Sequence, residues 1–216
     1  MPRRSRPIST IVVEFYGGPS SGKSEAMARL FSLLKQRYIT VEMAPEYAKK
    51  WAYEGRQIDG LDEFYIFGKQ VGAEAALLGK VAVVVTDRPV LMSSVYTDLY
   101  GSGKIRSGVD AAVMAYMGET RLRGHRRIAV LVPRRHAYVH AGRFEDLDQA
   151  IVVDEMTRQR VGERAGAGYW SGLYEGTDIV ALWKLCDDIE ALVRPRESWA
   201  LSALRGLLGR LRDDEM

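Results

Sequence analysis

The stretch that most constrains this chain is Gly17-Gly-Pro-Ser-Ser-Gly22-Lys23-Ser24, which fits the phosphate-loop pattern G-x-x-x-x-G-K-[ST]. The apolar run Ile11-Val-Val-Glu-Phe-Tyr16 leads directly into it, and Ala26, Met27, Leu30, Phe31 and Leu34 follow at spacings of three and four. Strand, glycine loop and helix in that order give the pattern its physical meaning. Glycines let backbone N–H groups close around phosphate oxygens, and the N-terminal end of the following helix favours negative charge. The expected phosphate cradle is Gly17, Gly18, Pro19, Ser20, Ser21, Gly22, Lys23 and Ser24. Lys23 is placed to reach the β- and γ-phosphates of ATP, and the Ser24 hydroxyl to hold Mg²⁺. The competing reading, a glycine turn with an accidental lysine, does not explain the flanking strand and helix.

With 216 residues, the chain has the length of one domain with a small lid or tail. An apolar fraction of 47% supports a substantial core, and 27% charged residues of both signs make an ordinary solvated surface. The net charge of +3 permits an anionic polymer as partner without requiring one. Cys186 is the only cysteine, so no internal disulfide forms, which fits a reducing, cytoplasmic setting. No apolar run is long enough to span a bilayer, so no membrane is expected. The basic start Met-Pro-Arg-Arg-Ser-Arg-Pro lacks a following apolar segment of secretory type.

Further along, Ile39–Ala44 reads as a second strand stopped by Pro45, and Tyr47–Tyr53 as a short helix. Asp62–Gly79 reads as a helix with Phe64, Phe67, Val71, Ala75 and Leu78 on its inner face. Val81–Val85 has the continuous apolar character of a strand buried on both faces of a parallel sheet. A glycine-rich loop is expected from Tyr100 to Ser107, a helix to about Arg123, and a strand over Ile128–Val132. Glu145–Glu163 reads as a long helix with Leu147, Ile151 and Val161 inward. Gly162–Gly176, with five glycines, reads as a loop, and Asp178–Leu182 as the last strand. About 197–212 is an amphipathic C-terminal helix carrying Leu201, Leu204, Leu208 and Leu211, suited to packing on the body or on a second subunit. An oligomer is therefore open. Alternating strands and helices predict an α/β fold, a P-loop NTPase with a five-stranded parallel sheet flanked by helices. The expected organisation is one kinase-like domain over 1–216, with a lid at about 133–165.

Ligands of such sheets bind beyond the carboxyl ends of the strands. Asp87, in Val85-Thr86-Asp87-Arg88-Pro89, is therefore expected beside Lys23, holding Mg²⁺ with Ser24, while Arg88 sits among phosphates. A solvated strand-end turn is the alternative. Glu46, in Ala44-Pro45-Glu46-Tyr47, is placed to accept a hydroxyl proton as that hydroxyl attacks the γ-phosphate. A charge favoured by the next helix's dipole explains it equally well. Gln70 offers donors and acceptors for a base edge, but boundary glutamines are commoner. Arg134, Arg135 and Arg143 flank the lid, where arginines assist phosphoryl transfer, and Asp154 and Arg158 suit a lid ion pair or a ligand contact. Gly101-Ser-Gly-Lys104 has no strand before it, and His136-x-x-x-His140 lacks a zinc-site glutamate, so neither is taken as a site.

Pro45-Glu46-Tyr47 with Trp51, Gln70 and Thr86-Asp87-Arg88 resembles the ordered signature of nucleoside and nucleotide kinases. That resemblance implies a base at Glu46 and nucleobase contacts from Trp51 and Gln70. The chain is also similar to phage P-loop kinases of the thymidine-hypermodification pathway, the 5-hydroxymethyluracil DNA kinases. The residues carrying this likeness are Glu46-Tyr-Ala-Lys49, Glu54-Gly-Arg56, Tyr65-Ile-Phe-Gly-Lys-Gln70, Thr86-Asp-Arg-Pro89 and Gly142-Arg143. Glu145 stands where that family commonly has glutamine. The resemblance spans roughly Val12 to Arg160 and carries over Lys23, Ser24, Glu46, Asp87 and Arg143.

It implies an ATP- and Mg²⁺-dependent kinase acting on 5-hydroxymethyluracil in DNA, with Arg121, Arg123, Arg126 and Arg127 as a backbone guide or simply a solvated helix end. A kinase of a free deoxynucleoside, its monophosphate or nicotinamide riboside is the alternative. A nucleotide-dependent switch or motor ranks last. A GTPase switch reads its base with Asn-Lys-x-Asp, and this sequence contains no asparagine.

Overall fold

A computed structural model describes residues 8–135 and 137–194. The expected C-terminal helix at about 197–212, the arginines of the N-terminal segment and His136 lie outside them. Five strands form one parallel sheet in the order β2-β3-β1-β4-β5. They are β1 (Ile11–Tyr16), β2 (Val41–Met43), β3 (Val83–Thr86), β4 (Arg126–Leu131) and β5 (Gly172–Glu175).

β1 is the central strand, and all six of its residues are buried. Its side chains alternate between two layers, as the strand period requires. Val13 and Phe15 join Leu30 and Leu34 of α1 (Lys23–Gln36) and Leu182 and Leu185 of α7 (Ile179–Val193) on one face. Tyr16 turns to the other face, with Val95 of α4 (Met92–Tyr100), Val109 and Met117 of α5 (Gly103–Leu122) and Val153 of α6 (Leu147–Ala165). The chain leaves β1 through α1 on the first face, and leaves β3 through α4 and α5 on the second. The adjacent carboxyl ends of β1 and β3 thus form a topological switch point, where doubly wound sheets bind ligands.

Several elements depart from expectation. The fifth strand is Gly172–Glu175, inside the glycine-rich stretch. Asp178–Leu182 instead opens α7, where the Asp178 carboxylate caps the helix by accepting the Ala181 N–H at 2.9 Å. An Asp followed by an apolar run is a helix start as much as a strand. The helix α5 begins at Gly103, within the expected loop. On α6 the buried residues are Ala150, Val153, Thr157 and Val161, whereas Leu147 and Ile151 are 42% and 41% exposed. Val153 and Val161 instead join the layer of Tyr16 and Val95, and the segment before α6, from Ala137 to Glu145, supplies cleft-lining residues.

The helix α3 (Asp62–Ala75) is rotated from its expected face. It buries Glu63, Ile66, Gln70 and Glu74, leaving Phe64 43% exposed. Glu63, Gln70 and Glu74 each reach a partner across the layer, although Gln70 Oε1 itself accepts no hydrogen bond. Glu74 Oε1 accepts from Arg127 at 2.5 Å, and Glu14 Oε1 accepts from the same guanidinium at 2.6 Å. Trp170 Nε1 donates to Glu14 at 2.7 Å, and Tyr16 Oη at 3.0 Å. Burial raises the Glu14 pKa, and Arg127 offsets part of that rise. Arg127 is therefore an internal counter-ion rather than part of a DNA-guiding set, and Arg123 pairs with Glu119 at 2.8 Å.

Candidate active site

Gly22 occupies a left-handed conformation, φ 101°, as the N-cap of α1, which a side chain would strain. This turn directs the loop's amides and Lys23 into a cleft of about 610 Å³. Pro19 to Ser24 line one wall, and Val139 and Gly142 to Glu145 line another. Between them lie Glu46, Lys49, Arg56, Glu63, Arg88, Tyr96 and Tyr100. Gly17 and Gly18 do not line the cleft. The Gly18 N–H donates to Asp154 Oδ1 at 2.5 Å, and the Gly18 carbonyl accepts from Lys23 Nζ at 2.7 Å. Arg134 holds Asp154 from the other side at 2.8 Å, so Asp154 and Arg134 lock the loop against α6. Arg158 pairs outward with Glu175.

Lys23, Ser24, Glu46 and Asp87 converge from three chain segments. Ser24 Oγ donates to Asp87 Oδ2 at 2.5 Å, and Asp87 Oδ1 accepts the Glu46 backbone N–H at 3.1 Å. Asp87 itself is buried and does not line the cleft. Burial lowers the Lys23 pKa to about 8, a shift opposed by Glu46 and Asp87 and reinforced by Arg143 and Arg88. A lysine so placed gains from an anion brought to it.

The residues present fit ATP and Mg²⁺. Ser21 Oγ is buried without a hydrogen-bond partner beside the loop amides, as a phosphate acceptor would require. Among the described residues no cluster of three His, Cys, Asp or Glu could hold a metal by itself. Mg²⁺ suits this arrangement, because it takes one or two protein oxygens, here Ser24 and Asp87, and completes its shell with phosphates and water.

Arg88, 5% exposed, contacts Glu46 Oε1 at 3.4 Å and Glu63 Oε2 at 3.5 Å, and its guanidinium lies 4.2 Å from the Tyr96 ring centroid. Burial works against its charge, but Glu63, Tyr96 and Glu46 hold its pKa above the usual arginine value. Arg143 reaches the cleft from the opposite wall.

Trp51 and Gln70 are not on the cleft wall. Gln70, 1% exposed, donates to the Ala44 carbonyl and to Thr86 Oγ1, both at 3.3 Å, and so ties the ends of β2 and β3 together. Trp51, on α2 (Lys49–Tyr53), is 5% exposed, with its ring stacked on Tyr65 at 5.5 Å and the Arg56 guanidinium 3.4 Å from its centroid. Glu63, Tyr96 and Tyr100 were not anticipated as site residues. For Glu63 the signal was present: 63, 66, 70 and 74 repeat at helical spacing as a second, mostly polar stripe.

Among the described residues no helix is long and apolar enough to cross a membrane. Among solved structures, the chain is similar to NadR protein in complex with NR, at 16% identity and a TM-score of 0.62. That match covers 84% of this chain and 51% of the other. NadR protein in complex with NAD and AMP-PNP gives 14% identity and a TM-score of 0.60, covering 84% and 49%. The chain thus spans about half the length of those NadR chains, and at these identities the likeness establishes the fold. No curated protein sequence matches the chain significantly. The profile of the family described as AAA domain matches residues 12–167, most of the chain and all of the loop, strands and helices that build the cleft, and this chain belongs to that AAA-domain family.

Proposed function

We propose that the protein is an ATP-dependent kinase whose acceptor is an alcohol, the hydroxymethyl group of 5-hydroxymethyluracil in DNA. The observation that carries the kinase reading is the convergence of Lys23, Ser24, Asp87 and Glu46 at the switch point between β1 and β3. The acceptor assignment is supported by the run of motifs from Glu46-Tyr-Ala-Lys49 to Gly142-Arg143.

Lys23 would leave the Gly18 carbonyl and neutralise the β- and γ-phosphates. Glu46, held by Arg88, would accept the hydroxyl proton as that oxygen bonds to the γ-phosphorus. The bond from the γ-phosphorus to the β–γ bridging oxygen breaks, and ADP departs. Ser24 and Asp87 would hold Mg²⁺, which would supply charge neutralisation for the phosphates. Arg143, on the wall facing the loop, would balance charge on the transferring group. A base in duplex DNA would have to leave the stack to reach this cleft.

A second reading, phosphorylation of a free nucleoside, nucleotide or NR-like compound, is favoured by the cleft size. About 610 Å³ falls within the range of small-molecule sites. Labelled ATP offered with 5-hydroxymethyluracil-containing DNA and with free nucleosides separates the two. Label on nucleosides but never on DNA overturns the DNA acceptor. Hydrolysis with no labelled acceptor of any kind overturns the kinase.

A further inference from the structure

The wall opposite the phosphate loop holds a carboxylate for which the reaction above has no use. Glu145 is 8% exposed, lines the cleft, and its carboxylate bonds to no other residue among those described, only its own backbone amide lying against it. Its backbone is well fixed. Tyr138 Oη donates to the Glu145 carbonyl, and Asp146 next to it caps α6 in a capping box with Gln149. A largely buried carboxylate with only its own amide as donor keeps acceptor capacity for a ligand. Burial raises the Glu145 pKa, its own backbone N–H, Arg88 and Lys23 oppose the rise, and Glu46 adds to it.

Arg88 is its chemical complement. The Arg88 Nε–H is buried without an acceptor, and its two terminal nitrogens make only the long 3.4 and 3.5 Å contacts to Glu46 and Glu63. Both residues line the same cleft, one with acceptor capacity and the other with an unused donor. Tyr100 and Phe144, both on the cleft wall and partly exposed, offer apolar faces to a planar ring.

We infer that Glu145 and Arg88 recognise the imide edge of a pyrimidine, Glu145 accepting the ring N–H and Arg88 donating to an adjacent carbonyl. Uracil- and thymine-type rings present that N–H beside carbonyl oxygens. Cytosine has no ring N–H on the same edge. The inference deepens the kinase reading and rests on it for the site's location, with the ring supplied either by a free nucleoside or by a base in DNA. It also assigns a role to the glutamate at position 145, since glutamate and glutamine both present an oxygen to an N–H.

The test is equilibrium binding in the presence of ADP and Mg²⁺, using wild type, Glu145→Gln and Glu145→Ala. The probes are 5-hydroxymethyl-2′-deoxyuridine, its N3-methyl derivative, 5-hydroxymethyl-2′-deoxycytidine, and a single-stranded oligonucleotide carrying 5-hydroxymethyluracil. Wild type is expected to bind the uridine or the oligonucleotide at least ~10-fold better than the N3-methyl or cytidine probe, the scale of one lost hydrogen bond. Glu145→Ala should erase that discrimination, and Glu145→Gln should retain it. Equal binding of the N3-methyl probe, discrimination that survives Glu145→Ala, or binding of neither uracil probe each overturns the inference. Label transfer to some other alcohol would leave the kinase standing, so the two failures are separable. Melting curves on each variant exclude misfolding as the cause.

Discussion

The Ser24 hydroxyl donates a 2.5 Å hydrogen bond to Asp87 Oδ2, joining the first turn of α1 to the end of β3. The other oxygen of the same carboxylate takes the Glu46 backbone N–H at 3.1 Å. One buried aspartate thus joins the end of the phosphate-loop pattern to the turn after β2.

Replacing Asp87 by alanine removes both hydrogen bonds and the acidic partner of Ser24. The Mg²⁺ concentration for half-maximal activity should rise by ~10-fold or more, and stability should fall by about 2 kcal/mol. Magnesium titrations of activity and urea unfolding measure the two effects. An unchanged Mg²⁺ dependence would remove Asp87 from the metal site.

Glu46 is assigned to the hydroxyl proton and not to ATP. Glu46→Gln should lower kcat by ~10²–10⁴ while leaving ATP affinity nearly unchanged. Steady-state kinetics with ATP varied, beside direct ATP binding, gives the split. A variant that loses ATP affinity as much as turnover would make Glu46 a binding residue.

Lys23 carries a prediction about stability as well as transfer. Its folded pKa, about 8, lies below the ordinary lysine value of 10.5, so between those pH values the unfolded chain binds more protons. Stability therefore rises with pH across that window. Nucleotide-free wild type should gain melting temperature from pH 8 to pH 10 relative to Lys23→Met, which has no proton to lose. Phosphoryl transfer by Lys23→Met should fall by ~10²–10³, the scale of losing one preorganised donor. Parallel melting profiles for the two proteins would contradict the placement of the Lys23 ammonium.

Arg127 lies between Glu14 and Glu74, away from the cleft. Arg127→Met leaves two buried carboxylates facing each other and should cost about 3–5 kcal/mol. Chemical denaturation measures the loss, and ATP affinity measured below the melting transition should match wild type. A salt-dependent loss of DNA binding without a loss of stability would restore the backbone-guide role.

The phosphate loop, the central strand and the parallel order of strands were legible along the chain because their signals are local. Gly17 to Ser24 is a contiguous pattern, and Ile11–Tyr16 and Val83–Thr86 are short apolar runs. The fifth strand was not legible, because Gly172–Glu175 is half-exposed at the sheet edge and carries no apolar run. Asp178–Leu182 carried the stronger apolar pattern, and the Asp178 cap turned it into a helix.

By itself the sequence determined the strand–loop–helix unit around the phosphate-loop pattern, and that Glu46 and Asp87 follow strands at the same edge. Only the tertiary structure decided which side chains face the cleft. The rotation of α3 sends Gln70 to the strand ends and Glu63 to Arg88. Trp51 is buried against Tyr65 and Arg56, and the segment before α6 brings Glu145 in. Facing is set by packing between elements distant in sequence, and a buried polar residue takes the position where its partners satisfy it. That choice depends on partners such as Arg88 and Arg127, which no spacing within α3 could reveal.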